Sequence, residues 1–118
     1  MNMPDKKIIV LHVDLAEDKS KIQEYIDYHA EVWPEVIEDL RKRPVERMRI
    51  YNSNNRLVML LEVEKDFNIE DGIHIEPPQP KVAEWSTAMT PLLKKLETGK
   101  IDEWTPMNIV FDTKDYYQ

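Results

Sequence analysis

Four segments of the chain carry the β-branched and apolar residues, partly alternating with polar ones, that are typical of β-strands. They are residues 7–15, 46–52, 56–64 and 106–112. The tripeptide SNN at 53–55 separates the second segment from the third, and asparagine tolerates the left-handed backbone of tight turns. The pattern therefore predicts that these two strands form a hairpin.

Two further segments have the spacing of helices. Residues 19–43 place apolar side chains three and four positions apart, which brings them onto one helix face. Pro34 lies inside this segment and removes one backbone hydrogen bond, so we expect a bend there. Residues 81–97 predict a second helix with an internal break at Pro91, after a long proline-rich loop at 65–80. The buried face of the first helix is predicted to carry Ile22, Ile26, Val36, Ile37 and Leu40.

The element order βαββαβ predicts one α+β domain over residues 1–118, with both helices on one face of a four-stranded antiparallel sheet. The third strand presents Leu57 and Met59 to one face but also Val58 and Leu60 to the other. A face left uncovered by helices is normally polar, so this apolar face predicts sheet-to-sheet packing with an identical chain. We therefore expect a homodimer.

Composition narrows the function. The 118 residues have a net charge of -7, which argues against nucleic acid and anionic membrane surfaces as partners. The chain has no cysteine, and it shows no glycine-rich phosphate loop or nucleophilic serine motif. No segment is typical of a signal peptide or membrane span, so we expect a cytoplasmic protein. The chemistry that fits is proton transfer without a cofactor.

His29 is the principal candidate for that chemistry. Tyr25, His29 and Trp33 follow each other at intervals of four residues, which stacks them on one helix face. Spacing alone allows either a core histidine or an acid/base group in an aromatic-walled pocket. Trp85 on the second helix is equally compatible with interhelical packing or a pocket wall. His12 and His74 show no ligand spacing, so no metal site is predicted.

The run Tyr25-x3-His29-x3-Trp33-Pro34-Glu35 resembles a motif of the L-rhamnose mutarotase family. Over residues 7–112, further matching pieces follow in order: Ile50-Tyr51, Asn55-Arg56-Leu57, Glu62, Trp85-x3-Met89 and Val110-Phe111. The resemblance implies a ferredoxin-like βαββαβ sandwich that dimerises through its sheets into a dimeric α/β barrel. It also implies interconversion of the α and β anomers of 6-deoxyhexoses without a metal or cofactor.

The resemblance assigns roles to individual residues. His29 matches the family's proton donor, and we hypothesise that it serves the ring oxygen of the sugar. Tyr25 and Trp85 match residues that contact the sugar, and Trp33 would pack on its apolar surface. Met48 stands where a substrate-binding tyrosine is usual. The second acid/base group is not identified; water or a residue of the loop could serve.

Other features are similar to a branch of the family assigned to L-fucose. They include the phrases NRLVMLLEVEKDF and PKVAEW, and Ser86 where adjacent tryptophans are common. The sequence therefore predicts a mutarotase for L-fucose or L-rhamnose. Two alternatives stay open at this point: a cofactorless monooxygenase or lactone isomerase of the same fold, and a metabolite-binding module without catalysis.

Overall fold

The computed structural model describes residues 5–117, in which helices cover one face of a four-stranded antiparallel sheet. The strands follow each other in the order β2-β3-β1-β4 across the sheet. This α+β architecture confirms the predicted fold. The elements are β1 (Lys6–Asp14), α1 (Lys19–Ala30), α2 (Pro34–Lys42), β2 (Arg47–Ser53), β3 (Arg56–Glu64), α3 (Pro80–Met89) and β4 (Thr105–Met107).

The centre of the sheet is the long pairing of β1 with β3, which sets Leu11 opposite Met59 and Val13 opposite Leu57. Because side chains alternate between the two faces of a strand, every second residue of β3 enters the core beneath the helices. Leu57, Met59, Leu61 and Val63 are each no more than 2% exposed. The predicted hairpin of β2 and β3 is present, with Met48 opposite Leu61.

The predicted bent helix over 19–43 is instead two separate helices. The first ends at Ala30, and the second begins at Pro34, with Trp33 in an extended conformation between them. Proline at the first helical position loses no intrahelical hydrogen bond, because that N–H group would have no partner anyway. Pro34 therefore starts a helix here rather than bending one.

Two side chains predicted on the buried helix face are not buried. Ile26 is 40% exposed and Ile37 is 51% exposed. Their neighbours Tyr25 and Val36, about 100° away around each helix axis, take the inward positions instead.

The C-terminal elements are shorter than predicted. The third helix ends at Met89, because Pro91 turns the chain into a single 3-10 turn over Thr90–Leu92. The last strand covers Thr105–Met107 rather than 106–112, and Val110 beyond it is 96% exposed. None of the helices within residues 5–117 combines the length and apolar character needed to cross a bilayer.

The loop between β3 and α3 is attached to the helix layer. The Arg43 guanidinium donates hydrogen bonds to the carbonyls of Gly72, at 3.0 Å, and Asn68, at 3.1 Å. It also lies over the ring of Phe67, 4.2 Å from the ring centroid. These contacts hold the loop against the end of α2.

The buried position of Leu61 on β3 predicts how much stability is lost when its side chain is truncated. Leu61→Ala should lower the free energy of unfolding by about 2–5 kcal/mol, because it leaves a cavity at a fully buried site. The matched control Leu96→Ala, at a 38% exposed position, should cost less than about 1 kcal/mol. Urea unfolding at one protein concentration measures both, and equal losses would contradict this arrangement of the core.

Candidate functional site

A cavity of about 730 Å³ opens between the helices and the sheet. The cavity is lined by side chains from α1, α2, α3, β2 and the 65–79 loop. His29, Tyr25, Met48 and Trp85, which the sequence singled out, line this cavity together. A site of this size lies within the usual range of about 300–1,000 Å³ for small-molecule pockets.

His29 occupies the last turn of α1, one turn after Tyr25. Its Nδ1 atom lies 2.8 Å from the Tyr25 carbonyl oxygen. The two rings also stack, with centroids 4.1 Å apart and an angle of 22° between their planes. Tyr25 therefore fixes the imidazole in two ways. Its carbonyl oxygen fixes the direction of Nδ1, and its ring fixes the plane of the imidazole.

The backbone contact decides the tautomer of His29. A carbonyl oxygen can only accept, so Nδ1 must carry the hydrogen and donate it to Tyr25. Burial lowers the pKa of His29 from its ordinary value of 6.5, and the hydrogen bond to Tyr25 opposes this only in part. The ring is consequently neutral near pH 7, with a free electron pair on Nε2. It can accept a proton there and later return it.

Tyr25 is itself almost fully buried, at 5% exposure. Burial alone raises the pKa of its phenol far above the ordinary value of 10.0. The hydroxyl therefore keeps its proton at working pH. It can orient a ligand by hydrogen bonding, but it does not serve as a base.

Trp85 is the centre of an aromatic cluster beside His29. It meets His29 edge to face at 5.3 Å, Tyr28 at 5.7 Å and Trp33 at 5.2 Å, measured between ring centroids. Such contacts leave little freedom for the indole, which presents a fixed apolar wall to the cavity.

Trp33 does not lie where the sequence pattern predicted it. The chain is extended at this residue, between α1 and α2, and the ring packs against Trp85 without lining the cavity. The sequence placed it on the face of a continuous helix, and the break before Pro34 removes that geometry. Trp33 thus supports the wall formed by Trp85.

A second histidine lies at the cavity, which no pattern in the sequence indicated. His74, in the loop, lines it, and its Nδ1 atom lies 2.7 Å from a carboxylate oxygen of Asp39 on α2. Asp39 is only 7% exposed and also accepts a long hydrogen bond from the N–H of Ile75, at 3.4 Å. The pair is far apart in sequence, so no local pattern could reveal it.

Other lining residues shape the cavity. Trp104, between α3 and β4, adds a further aromatic side chain that sequence reasoning missed. Arg41, Glu46 and Arg47 bring charged groups to the wall. Among residues 5–117, no three potential metal ligands of the histidine or carboxylate type converge.

Comparisons with known proteins cover nearly the whole chain. The family model for L-rhamnose mutarotase matches residues 8–113. A UPF0734 protein of Dictyostelium discoideum is 32% identical over 117 residues, which cover 95% of this chain and 94% of that protein. An L-fucose mutarotase of Xanthomonas campestris is 31% identical over 102 residues, which cover 84% of this chain and 82% of that protein.

The fold is similar to that of a solved crystal structure, an L-rhamnose mutarotase from Formosa agariphila, with a TM-score of 0.64 and 18% sequence identity. The match covers 90% of this chain and 97% of that chain. At 18% identity, this similarity shows a shared fold only.

The environment of His29 predicts its titration. Nitrogen-15 NMR of the imidazole should show the hydrogen on Nδ1 and a pKa below 6.5, while the same resonance in urea-unfolded protein should titrate normally. Because the unfolded chain then binds the proton more tightly, His29 should weaken folding as the pH falls from 6.5 through the lowered pKa. A hydrogen on Nε2, or an unshifted pKa, would contradict the geometry.

Proposed function

Because the chain belongs to the L-rhamnose mutarotase family, and is thus an isomerase acting on carbohydrates, we propose that it interconverts the α and β anomers of a 6-deoxy-L-hexose. L-fucose and L-rhamnose are the candidate substrates. The 31% sequence identity with an L-fucose mutarotase favours L-fucose. So do Met48 and Ser86, which stand where a tyrosine and a tryptophan are usual in the family. The proposal includes a cytoplasmic location and a reaction that needs no metal or cofactor. Family membership argues against a monooxygenase, a lactone isomerase or a non-catalytic binding module.

The observation that supports this function best is the environment of His29. A neutral imidazole with its Nε2 atom free, oriented by Tyr25, lines a cavity with the indole of Trp85 as a wall. Opening a pyranose ring needs only the transfer of protons between oxygen atoms. A positioned neutral imidazole, which can accept a proton and later return it, suits this task.

The mechanism begins with His29 as a base. Its Nε2 atom takes the proton of the anomeric hydroxyl, and the freed electron pair becomes the second bond of the aldehyde carbonyl. The bond between the anomeric carbon and the ring oxygen breaks, and the ring oxygen gains a proton from a second group. Rotation about the bond between C1 and C2 exposes the other face of the aldehyde. Reversal of both transfers then closes the ring as the other anomer.

This sequence of steps revises the role hypothesised for His29 at the ring oxygen. The lowered pKa means that the resting imidazole holds no second proton, so it accepts one before it can donate. In the closing step, Nε2 returns that proton to the former carbonyl oxygen. His29 is then the acid of the second half of the reaction.

The remaining site residues hold the sugar. The faces of Trp85 and the side chain of Met48 are suited to the C–H groups and the 6-methyl group of a deoxysugar. The Tyr25 hydroxyl would orient a sugar hydroxyl, and Trp33 keeps Trp85 in place from behind. The arrangement explains how a sugar lacking one hydroxyl can be bound by a largely apolar wall.

Removal of the imidazole tests the proposal. In His29→Gln, the enzyme-catalysed rate of anomer exchange of L-fucose and L-rhamnose should fall by about 10²- to 10⁴-fold, the usual contribution of one acid/base group. Saturation-transfer NMR measures this rate above the uncatalysed background. The matched control is Glu24→Gln, at an exposed position of the same helix, which should leave exchange unchanged. Full exchange in His29→Gln would reject the assignment.

The apolar outer face of the sheet supports a second part of the proposal, a homodimer through that face. Ile8 is 56% exposed and Met107 is 50% exposed, and Val58 and Leu60 lie between the outer strands with partial exposure. A second copy of the chain would cover these apolar groups.

A charge in the middle of this face should prevent the dimer. Val10→Glu should sediment as a monomer, because Val10 lies between Leu60 and Met107 on this face and pairing two copies would bury carboxylates without a basic partner. Leu96→Glu, a matched change at a position in the segment between α3 and β4, should leave the dimer intact. Analytical ultracentrifugation distinguishes the two species, and a monomeric wild-type protein at micromolar concentration would refute this part.

A further inference from the structure

We propose that His74 is the second acid/base group of the reaction and that it serves the ring oxygen, with Asp39 as its positioning residue. The inference rests on the proposed function, since it supplies the proton that the ring oxygen needs when His29 takes the anomeric proton.

Placement is the first support. His74 lines the same cavity as His29 but comes from the loop rather than from α1, so the two imidazoles approach it from different elements. The His74 side chain is 24% exposed, which leaves it accessible to a ligand while protein surrounds most of the ring. Ring opening needs two proton-transfer groups at different oxygens of one sugar. Two histidines on separate walls can provide them.

The contact with Asp39 is the second support. The buried carboxylate 2.7 Å from Nδ1 holds a hydrogen on that atom, so Nε2 is the nitrogen that exchanges protons with a ligand. The same carboxylate stabilises the positive charge whenever His74 holds a second proton. An aspartate plays this orienting role behind the catalytic histidine of serine proteases.

The loop is anchored from several sides. Arg43 binds the carbonyls of Asn68 and Gly72, and Asp39 binds the Ile75 N–H, so both flanks of His74 are attached to the helix layer. Gly72 has a φ of 81°, a conformation that glycine adopts without strain and that turns the chain just before the histidine. The position of His74 therefore does not depend on a bound ligand.

The proton transfers balance between the two imidazoles. During opening, Nε2 of protonated His74 gives its proton to the ring oxygen as the bond to the anomeric carbon breaks. At the same time, Nε2 of His29 takes the proton of the anomeric hydroxyl. One proton has then moved from His74 to His29 by way of the sugar. Closure on the other face returns it, so the enzyme is unchanged and no other reactant is needed.

The simpler alternative is that Asp39 and His74 only fasten the loop to α2. In that case, breaking the pair would loosen the loop, weaken sugar binding and lower stability. Turnover of the sugar that still binds would hardly change. A separate measurement of kcat and KM distinguishes this structural role from proton transfer.

Two variants test the proposal. In His74→Gln, kcat for L-fucose or L-rhamnose exchange should fall by about 10²- to 10⁴-fold with little change in KM. In Asp39→Asn, the amide oxygen can still accept from the Ile75 N–H, but the amide nitrogen would face Nδ1 of His74. Nitrogen-15 NMR should then show the His74 hydrogen moved to Nε2, with a fall in kcat of at least about tenfold. Asp66→Asn, at an exposed loop position, is the charge-matched control and should match wild type.

Each outcome decides a different claim. The role of His74 is refuted if His74→Gln keeps a kcat near that of wild type, or if it loses only affinity and stability. If His29→Gln abolishes exchange in the same experiment, the proposed function stands. If wild-type protein exchanges neither sugar, the proposed function itself fails. An unchanged His74 tautomer in Asp39→Asn would refute the positioning role of Asp39.

Discussion

The hydrogen bond from Nδ1 of His29 to the Tyr25 carbonyl is the contact on which the site depends. It joins two residues one turn apart on α1, so that helix brings both partners together. It leaves Nε2 as the only ring nitrogen that can exchange a proton with a ligand. Stacking on Tyr25 and burial beside Trp85 then keep the imidazole neutral, because both exclude the water that would stabilise a positive charge.

The fold provides this contact with a rigid surround. The end of α1 and the start of α2 at Pro34 place Trp33 behind Trp85, and Trp85 closes one side of the cavity next to His29. Apolar strands form the opposite wall, and the anchored loop brings His74 to the rim. A mostly apolar cavity with few polar groups suits a deoxysugar, whose methyl group and ring C–H groups need burial while its hydroxyls need partners.

The sequence predicts the sheet well and the site only in part, for a physical reason. The alternation of Leu57, Met59, Leu61 and Val63 is a local signal, and their burial follows from it. The position of His29 beside Tyr25 is likewise local. Pro34 is compatible with either a bend or a helix start, so the displacement of Trp33 could not be read from spacing. The contact between Asp39 and His74 joins a helix to a distant loop, and only the folded chain brings the two together.

The most direct measurement follows the imidazole resonances of the three histidines during titration with L-fucose. His29 and His74 line the cavity, whereas His12 faces the opposite side of the sheet. Binding at the cavity should shift the signals of His29 and His74 with one common dissociation constant and leave His12 unchanged. A shift confined to His12, or no shift of His29 at saturating L-fucose and L-rhamnose, would contradict a deoxysugar site at this cavity.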